Sequence, residues 1–412
     1  MTGVLPRYAG FGAALAFAGP PIYIHAPNLY AAEYGLGLAA MGALLLGLRM
    51  LDFIQDPLLG WWLARSRAPR ANVVAAFAVI LGLGALALFW PTSAVAPGIR
   101  FVLALAVVFT AFSALQIIFY ESGLDLAGRA GVSHSKVAGW REAGVLAGVT
   151  AACILPEIAK PVVGPSAAYG LFAVAFCGVL GLAAFSMAGA WPRRDKVRRQ
   201  SGFAACWRDA TLRRLLLIGL LNALPVGLTA TLFLFFVQDR LSAPEHTGPA
   251  LVAFFLAAAA AAPLWARLAD QIGAKRALLS GMAGAIAVFA TATTLGPGDW
   301  PLFYVIAIGS GAAMGADMTL LPAMLSKRLS RLGGGGEIAF GAWGFVNKAS
   351  FALAAGLALP ALDYFGYAPG GANPPEALAA LTFAYAAAPC GLKALALAAL
   401  AISPNLEGEA SE

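Results

Sequence analysis

Charge is what this chain has least of. Asp, Glu, Lys and Arg together make up 11% of its 412 residues, where a soluble domain of this size carries roughly 25%. The deficit excludes a water-facing globular surface. Histidines number three and stand apart, so no His-rich metal cluster is expected. The four cysteines (Cys153, Cys177, Cys206 and Cys390) are scattered without a CxxC pair, which suggests neither a disulfide framework nor a zinc site. The N-terminus has a single Arg, no clean small-x-small cleavage site and an apolar run longer than an h-region. It reads as an uncleaved first span. No nucleophile motif or phosphate-cradling loop is present, and an enzyme is not expected.

What the sequence has instead is apolar length: 60% of residues are hydrophobic. Crossing a bilayer takes about 20 apolar residues. Twelve such stretches are centred near Phe17, Gly47, Leu81, Val108, Leu146, Phe176, Thr229, Phe255, Ala285, Ala313, Phe351 and Leu395. Placing both termini in the cytoplasm puts 20 of the 27 Lys and Arg on that side and three (Arg100, Lys160 and Arg240) on the other. That asymmetry orients the chain. It also accounts for the net charge of +7 by topology, without a nucleic-acid partner. The expectation is a multi-pass protein of a bacterial inner (plasma) membrane, surrounded by lipid bilayer and monomeric.

The chain repeats itself at half its length. "DPLLGWWLARSRAPRANV" after the second span matches "APLWARLADQIGAKRALL" after the eighth, with Pro57 on Pro263 and Arg70 on Arg276, both offset by 206 residues. The second copy resembles the facilitator loop signature G-x-L-A-D-x-x-G-R-R. The expected fold is an all-α membrane protein with twelve transmembrane helices in two six-helix pseudo-repeats, the major facilitator fold. Its expected parts are an N-terminal bundle (1–192), a basic cytoplasmic linker (193–212) and a C-terminal bundle (213–412). In such folds, substrate sits at the midplane between repeats.

Ionisable residues inside spans mark functional candidates, because each costs about 2.5–3.5 kcal/mol at a helix centre on insertion scales. The densest set is "LRMLDFIQDPLLGWW", where Arg49, Asp52 and Asp56 share one helical face. Two acids one turn apart repel unless a cation or proton sits with them, and Gln55 adds a neutral oxygen of the kind hard cations prefer. One reading is a Na⁺ or H⁺ site. The other is an Arg49–Asp52 ion pair, with Asp56 serving the loop. Span four carries a polar stripe of Ser113, Gln116 and Tyr120, with Glu121 beside it. Arg141 and Glu142 open span five, and Arg141 can pair with Glu121 or Asp52 or reach a substrate oxygen. In the second half Asp317 and Lys348 fall at similar depth, so Lys348 is either an ion-pair partner or a cavity residue beside Trp343 and Asn347. Lys393 receives no role.

The stretch from "GFGAALAFAG" to "LRMLDFIQDPLLGWW" resembles the melibiose permease type, the glycoside–pentoside–hexuronide:cation symporters. Their hallmark R-x-x-D-x-x-x-D-P-x-x-G is met by Arg49, Asp52, Asp56, Pro57 and Gly60. Similarity continues in "REAGVLAGVTAACILP" and "EIAFGAWGFVNKASFALAAGLALPALDYFGY". The resemblance implies no cofactor, and coupling of Na⁺ or H⁺ to a small-molecule substrate. Asp52, Asp56, Gln55 and Ser113 would hold the cation; Arg141 and Lys348 would line the cavity. The substrate set expected around them adds Arg49, Gln116, Tyr120, Trp343 and Asn347. The family's sugar transporters have an acid in span one and an acid plus Trp in span four. Ala16, Gln116 and Tyr120 stand there instead, which sets galactoside recognition in doubt. Lysolipid carriers are similar to this family and lack the span-one acid. Three readings follow: a symporter of a small polar solute such as a sugar or glycoside, a carrier of an amphiphile or organic anion, and a non-transporting receptor derived from a transporter.

Overall fold

The computed structural model describes residues 3–18, 38–90, 95–130, 132–191, 208–332, 336–368 and 371–403, with positions 22, 26, 29, 30 and 34. Among them the structure is helical, without a strand. Twelve helices follow one another. The first six are α1 (Val4–Ala16), α2 (Leu38–Arg65), α3 (Arg70–Phe89), α4 (Pro97–Ala130), α5 (His134–Val163) and α6 (Pro165–Met187). The second six are α7 (Ala210–Arg240), α8 (Pro244–Ile272), α9 (Ala274–Thr294), α10 (Trp300–Leu332), α11 (Gly336–Tyr364) and α12 (Pro375–Ile402). Each expected centre falls inside its helix except Phe17, which follows the last residue of α1. Ten helices are long and apolar enough to span a membrane. The others are α1, with 13 described residues, and α2, which carries Arg49, Asp52 and Asp56. Residues 192–207, most of the expected linker, lie outside the described residues.

Because lipid offers the backbone no hydrogen bonds, the spans are helical, and residue size sorts their faces. Bulky side chains point outward: Phe185 and Leu182 of α6 are 80% and 71% exposed, and Leu357 of α11 is 69% exposed. In water such a surface would aggregate; against lipid it is solvated. Small residues occupy the places where helices meet, where close backbone approach replaces a hydrophobic driving force.

The helices group into two compact units. One comprises Met1–Val132, Trp140–Cys206 and Leu329–Phe345; the other comprises Ser133–Gly139, Trp207–Arg328 and Val346–Glu412. Helices α5, α10 and α11 therefore contribute to both.

In the first unit, α3 packs on α4 and α6, and α1 packs on α6. Phe17 stacks on Phe172 and Phe176, with ring centroids at 5.8 and 6.0 Å. The tightest crossing joins α1 to α5. A Cβ added to Gly144 or Gly148 would overlap the Ala9 or Ala13 carbonyl. The clash is with backbone, which cannot rotate away. Gly144→Ala should therefore cost about 1–3 kcal/mol of stability, the usual range for overpacking. Thermal unfolding in detergent should show a lowered midpoint for Gly144→Ala but not for Gly178→Ala, where the added Cβ meets nothing within 4 Å.

In the second unit, α12 packs on α7 and α9, and α8 on α9. Both α7 and α12 widen into π-turns, Phe236–Arg240 and Phe383–Ala387. Phe236 and Tyr385 from these turns stack at 4.1 Å. Asp209 caps α7 by accepting from the Leu212 N–H at 2.7 Å, and Arg328 of α10 donates to the same carboxylate.

Candidate functional site

Helix α2 carries the span-two acids, and Pro57 is accommodated inside it. The side chains of Arg49 and Asp52 lie outside the described residues. Asp56 is 2% exposed and Gln55 9%. The Thr110 hydroxyl of α4 donates to Gln55 Oε1 at 2.7 Å and also lies 2.8 Å from its own Ala106 carbonyl. Ser113, one turn further along α4, is buried as well. One face of α4 therefore carries two hydroxyls, of which Thr110 meets Gln55. Thr110 was missed in the sequence. The signal was there, since it extends the Ser113, Gln116, Tyr120 stripe by a spacing of three.

The start of α11 closes over Asp56. A Cβ on Gly344 would stand 3.1 Å from Asp56 Oδ2, and one on Gly341 would stand 2.9 Å from the Asp56 carbonyl oxygen. Gly60, the last residue of the span-two hallmark, faces the same segment: a Cβ there would lie 2.7 Å from the Glu337 carbonyl oxygen. Three glycines thus let the two backbones approach beside the Asp56 carboxylate. Trp343 is buried in this segment. Asn347 and Lys348, further along α11, belong to the second unit and are partly buried.

Arg141 and Glu142 are 2% and 0% exposed. Arg141 does not pair with Glu121. Its Nε donates to Glu142 Oε1 at 2.6 Å, and its guanidinium lies over the Tyr120 ring, 4.0 Å from the centroid. Tyr120 Oη is 3.4 Å from the same carboxylate oxygen. Among the described residues, Arg141 Nη2 and Glu142 Oε2 are enclosed with no hydrogen-bond partner. A donor and an acceptor therefore remain available on a neutral pair. Gln116 is partly buried on the same helix as Tyr120. Glu121 instead meets Arg70 at 3.4 Å, and Arg70 also binds Glu337.

The second unit corrects another pairing. Asp317 is bound by Lys393 of α12, which also donates to Asn222 Oδ1 of α7 at 2.6 Å. Pairing with Lys348, on the next helix at similar depth, was one of the two readings of that lysine. Lys393, given no role from the sequence, is 6% exposed and donates to both groups.

With this geometry in view, comparison with known proteins gives two findings. The MFS/sugar transport protein family matches residues 7–404. Solved structures match over nearly the whole chain at low identity. A bacterial homologue of the iron transporter ferroportin, in an outward-facing state, is 16% identical with a TM-score of 0.69, covering 96% of this chain and 98% of its own. A variant of the E. coli fucose:proton symporter is 11% identical with a TM-score of 0.68, covering 95% and 98%. A search of curated proteins finds no match. The fold is that of the major facilitators, and the chain belongs to the MFS/sugar transport protein family, the melibiose permease-like group. It is a multi-pass membrane transporter and not an enzyme.

Proposed function

We propose that this transporter is a symporter driving a small polar organic solute, such as a sugar or glycoside, with Na⁺ or H⁺ by alternating access. The observation that carries the reading is Asp56: a carboxylate 2% exposed on a 28-residue helix, beside an amide that a hydroxyl already orients. Buried carboxylates are paired or coordinate cations. In the proposed site Asp52 and Asp56 supply charge, while Gln55 and Ser113 supply neutral oxygens. Thr110 holds Gln55 in place. Arg49, Gln116, Tyr120, Arg141, Trp343, Asn347 and Lys348 are proposed to meet the solute. The proposed division of the chain is an N-terminal bundle (1–192), a cytoplasmic linker (193–212) and a C-terminal bundle (213–412). The proposed setting is a bacterial inner membrane, with a monomer and both termini in the cytoplasm.

The burial of Arg141 bears on the substrate. A carrier of an amphiphile or organic anion would use Arg141 and Lys348 as free cations, yet the Arg141 charge is met by Glu142 at 2.6 Å. A neutral pair with one open donor and one open acceptor suits hydroxyl groups better than a carboxylate or phosphate. Proteoliposomes offered radiolabelled sugars, organic acids and lysolipids under imposed Na⁺ or pH gradients test the proposal. Gradient-dependent accumulation of a neutral polar solute is expected. Accumulation of an anion or lysolipid alone would reassign the substrate, and absence of flux for every class would favour a receptor.

A further inference from the structure

The second unit holds a buried charge cluster outside the proposed cation and solute sites. Asp317, midway along α10, is 7% exposed, and Lys393 of α12 is 6% exposed. The Lys393 ammonium donates to Asp317 Oδ2 and to Asn222 Oδ1. Asp317 Oδ1 is enclosed with no hydrogen-bond partner among the described residues. Stability alone explains the cluster poorly. A buried ion pair barely offsets its desolvation, and an unmet carboxylate oxygen adds about 1–3 kcal/mol of cost. Ionisable groups at this depth are otherwise found on ion or proton pathways.

The surroundings narrow the choice. Helix α10 lies on α8 through Gly315, whose added Cβ would meet the Ala258 carbonyl oxygen at 2.8 Å, and on α9 through Ala316 against Gly281. Helix α7 lies on α11 through Gly227 and Ala354. The other charges of these helices stand near their ends: Arg213, Arg214, Asp239 and Arg240 on α7, Glu245, Arg267 and Asp270 on α8, and Lys275 and Arg276 on α9. The same holds for Lys327, Arg328 and Arg331 on α10, Glu337 and Asp363 on α11 and Glu376 on α12. Lys348 of α11 is the remaining mid-helix charge. Among the described residues of these helices no second acid stands mid-helix, and the Lys393 ammonium already supplies the positive charge on the Asp317 carboxylate. A proton is the ion this chemistry still accepts.

We infer that Asp317 is a proton-binding site of the second half, with Oδ1 as the accepting atom. A proton arriving there converts the carboxylate to a neutral acid. Lys393 keeps its three protons and retains the Asn222 oxygen as acceptor, so the cluster passes from net zero to plus one. In a dry interior that extra charge is costly, so protonation belongs to a state in which water reaches α7, α10 and α12. Binding of the proton and the change of state are thereby linked.

Infrared difference spectroscopy of the reconstituted protein between high and low pH tests this without knowledge of the solute. The wild type should show a carboxylic acid C=O band on acidification that is missing from Asp317→Asn. Lys393→Met, which removes the neighbouring ammonium, should raise proton affinity at Asp317 by about tenfold or more and move the band to higher pH. Asp317→Asn/Lys393→Met strands no charge, so it serves should either single variant fail to fold. Asp52→Asn/Asp56→Asn should keep the band, which separates this site from the one proposed on α2. Identical difference spectra for the wild type and Asp317→Asn/Lys393→Met would overturn the inference and leave the cluster a structural ion pair.

Discussion

Asp56→Asn is expected to abolish uphill accumulation of solute under an imposed Na⁺ or H⁺ gradient while downhill exchange persists. The substitution is close to isosteric, so the fit against Gly344, where a Cβ would already stand 3.1 Å from Oδ2, is kept. What is lost is charge. At 4 Å and an effective dielectric near 20, a carboxylate holds a monovalent cation with about 4 kcal/mol. Even half of that is roughly 30-fold in affinity. A symporter whose cation no longer binds is left with the solute's own gradient. Counterflow with preloaded vesicles separates the two activities: counterflow retained and accumulation lost is the expected pattern. Asp52→Asn should behave alike. Accumulation at the wild-type level in both variants would assign the span-two acids to structure.

The second large effect is expected at Arg141. Removing one member of a fully buried ion pair strands the other, typically at about 3–5 kcal/mol. Here Arg141→Met would leave Glu142, 0% exposed, with the Tyr120 hydroxyl at 3.4 Å as its remaining hydrogen-bonding neighbour among the described residues. Detergent melts of Arg141→Met should fall well below the wild type. Arg141→Met/Glu142→Gln, which removes both charges, should recover most of that loss. If the pair meets solute, the double variant should still bind none of the sugars or glycosides that the wild type binds. Recovery of both stability and binding would make Arg141 a structural residue.

How much of this was legible beforehand follows from where information sits in a membrane sequence. The helices were readable because lipid imposes one rule on every span, and their centres followed from hydropathy alone. The acids of α2 stood out because three charges interrupt an apolar run. Partners were not legible. Consecutive helices at similar depth suggested Asp317 with Lys348, but packing brings α12 beside α7 and hands Asp317 to Lys393. Arg141 was offered to distant acids, although the neighbouring Glu142 takes it. Thr110 is a hydroxyl that can satisfy itself on its own helix, so its approach to Gln55 left only a weak periodic trace. The glycines of the α2–α11 approach, Gly60, Gly341 and Gly344, look like any others in a chain with 47. Their meaning lies in the backbone each one faces.

The central claim is that one cation and one solute bind in linked fashion. Calorimetric titration of the purified protein measures this directly, once with solute at several Na⁺ concentrations and pH values, and once with the ion at several solute concentrations. The account predicts that Na⁺ or H⁺ raises solute affinity by a factor in the range of about 5–150, and that solute raises affinity for that ion by the same factor, because binding linkage is reciprocal. Asp56→Asn should reduce both factors to one. Solute affinity that is indifferent to both Na⁺ and pH would contradict it.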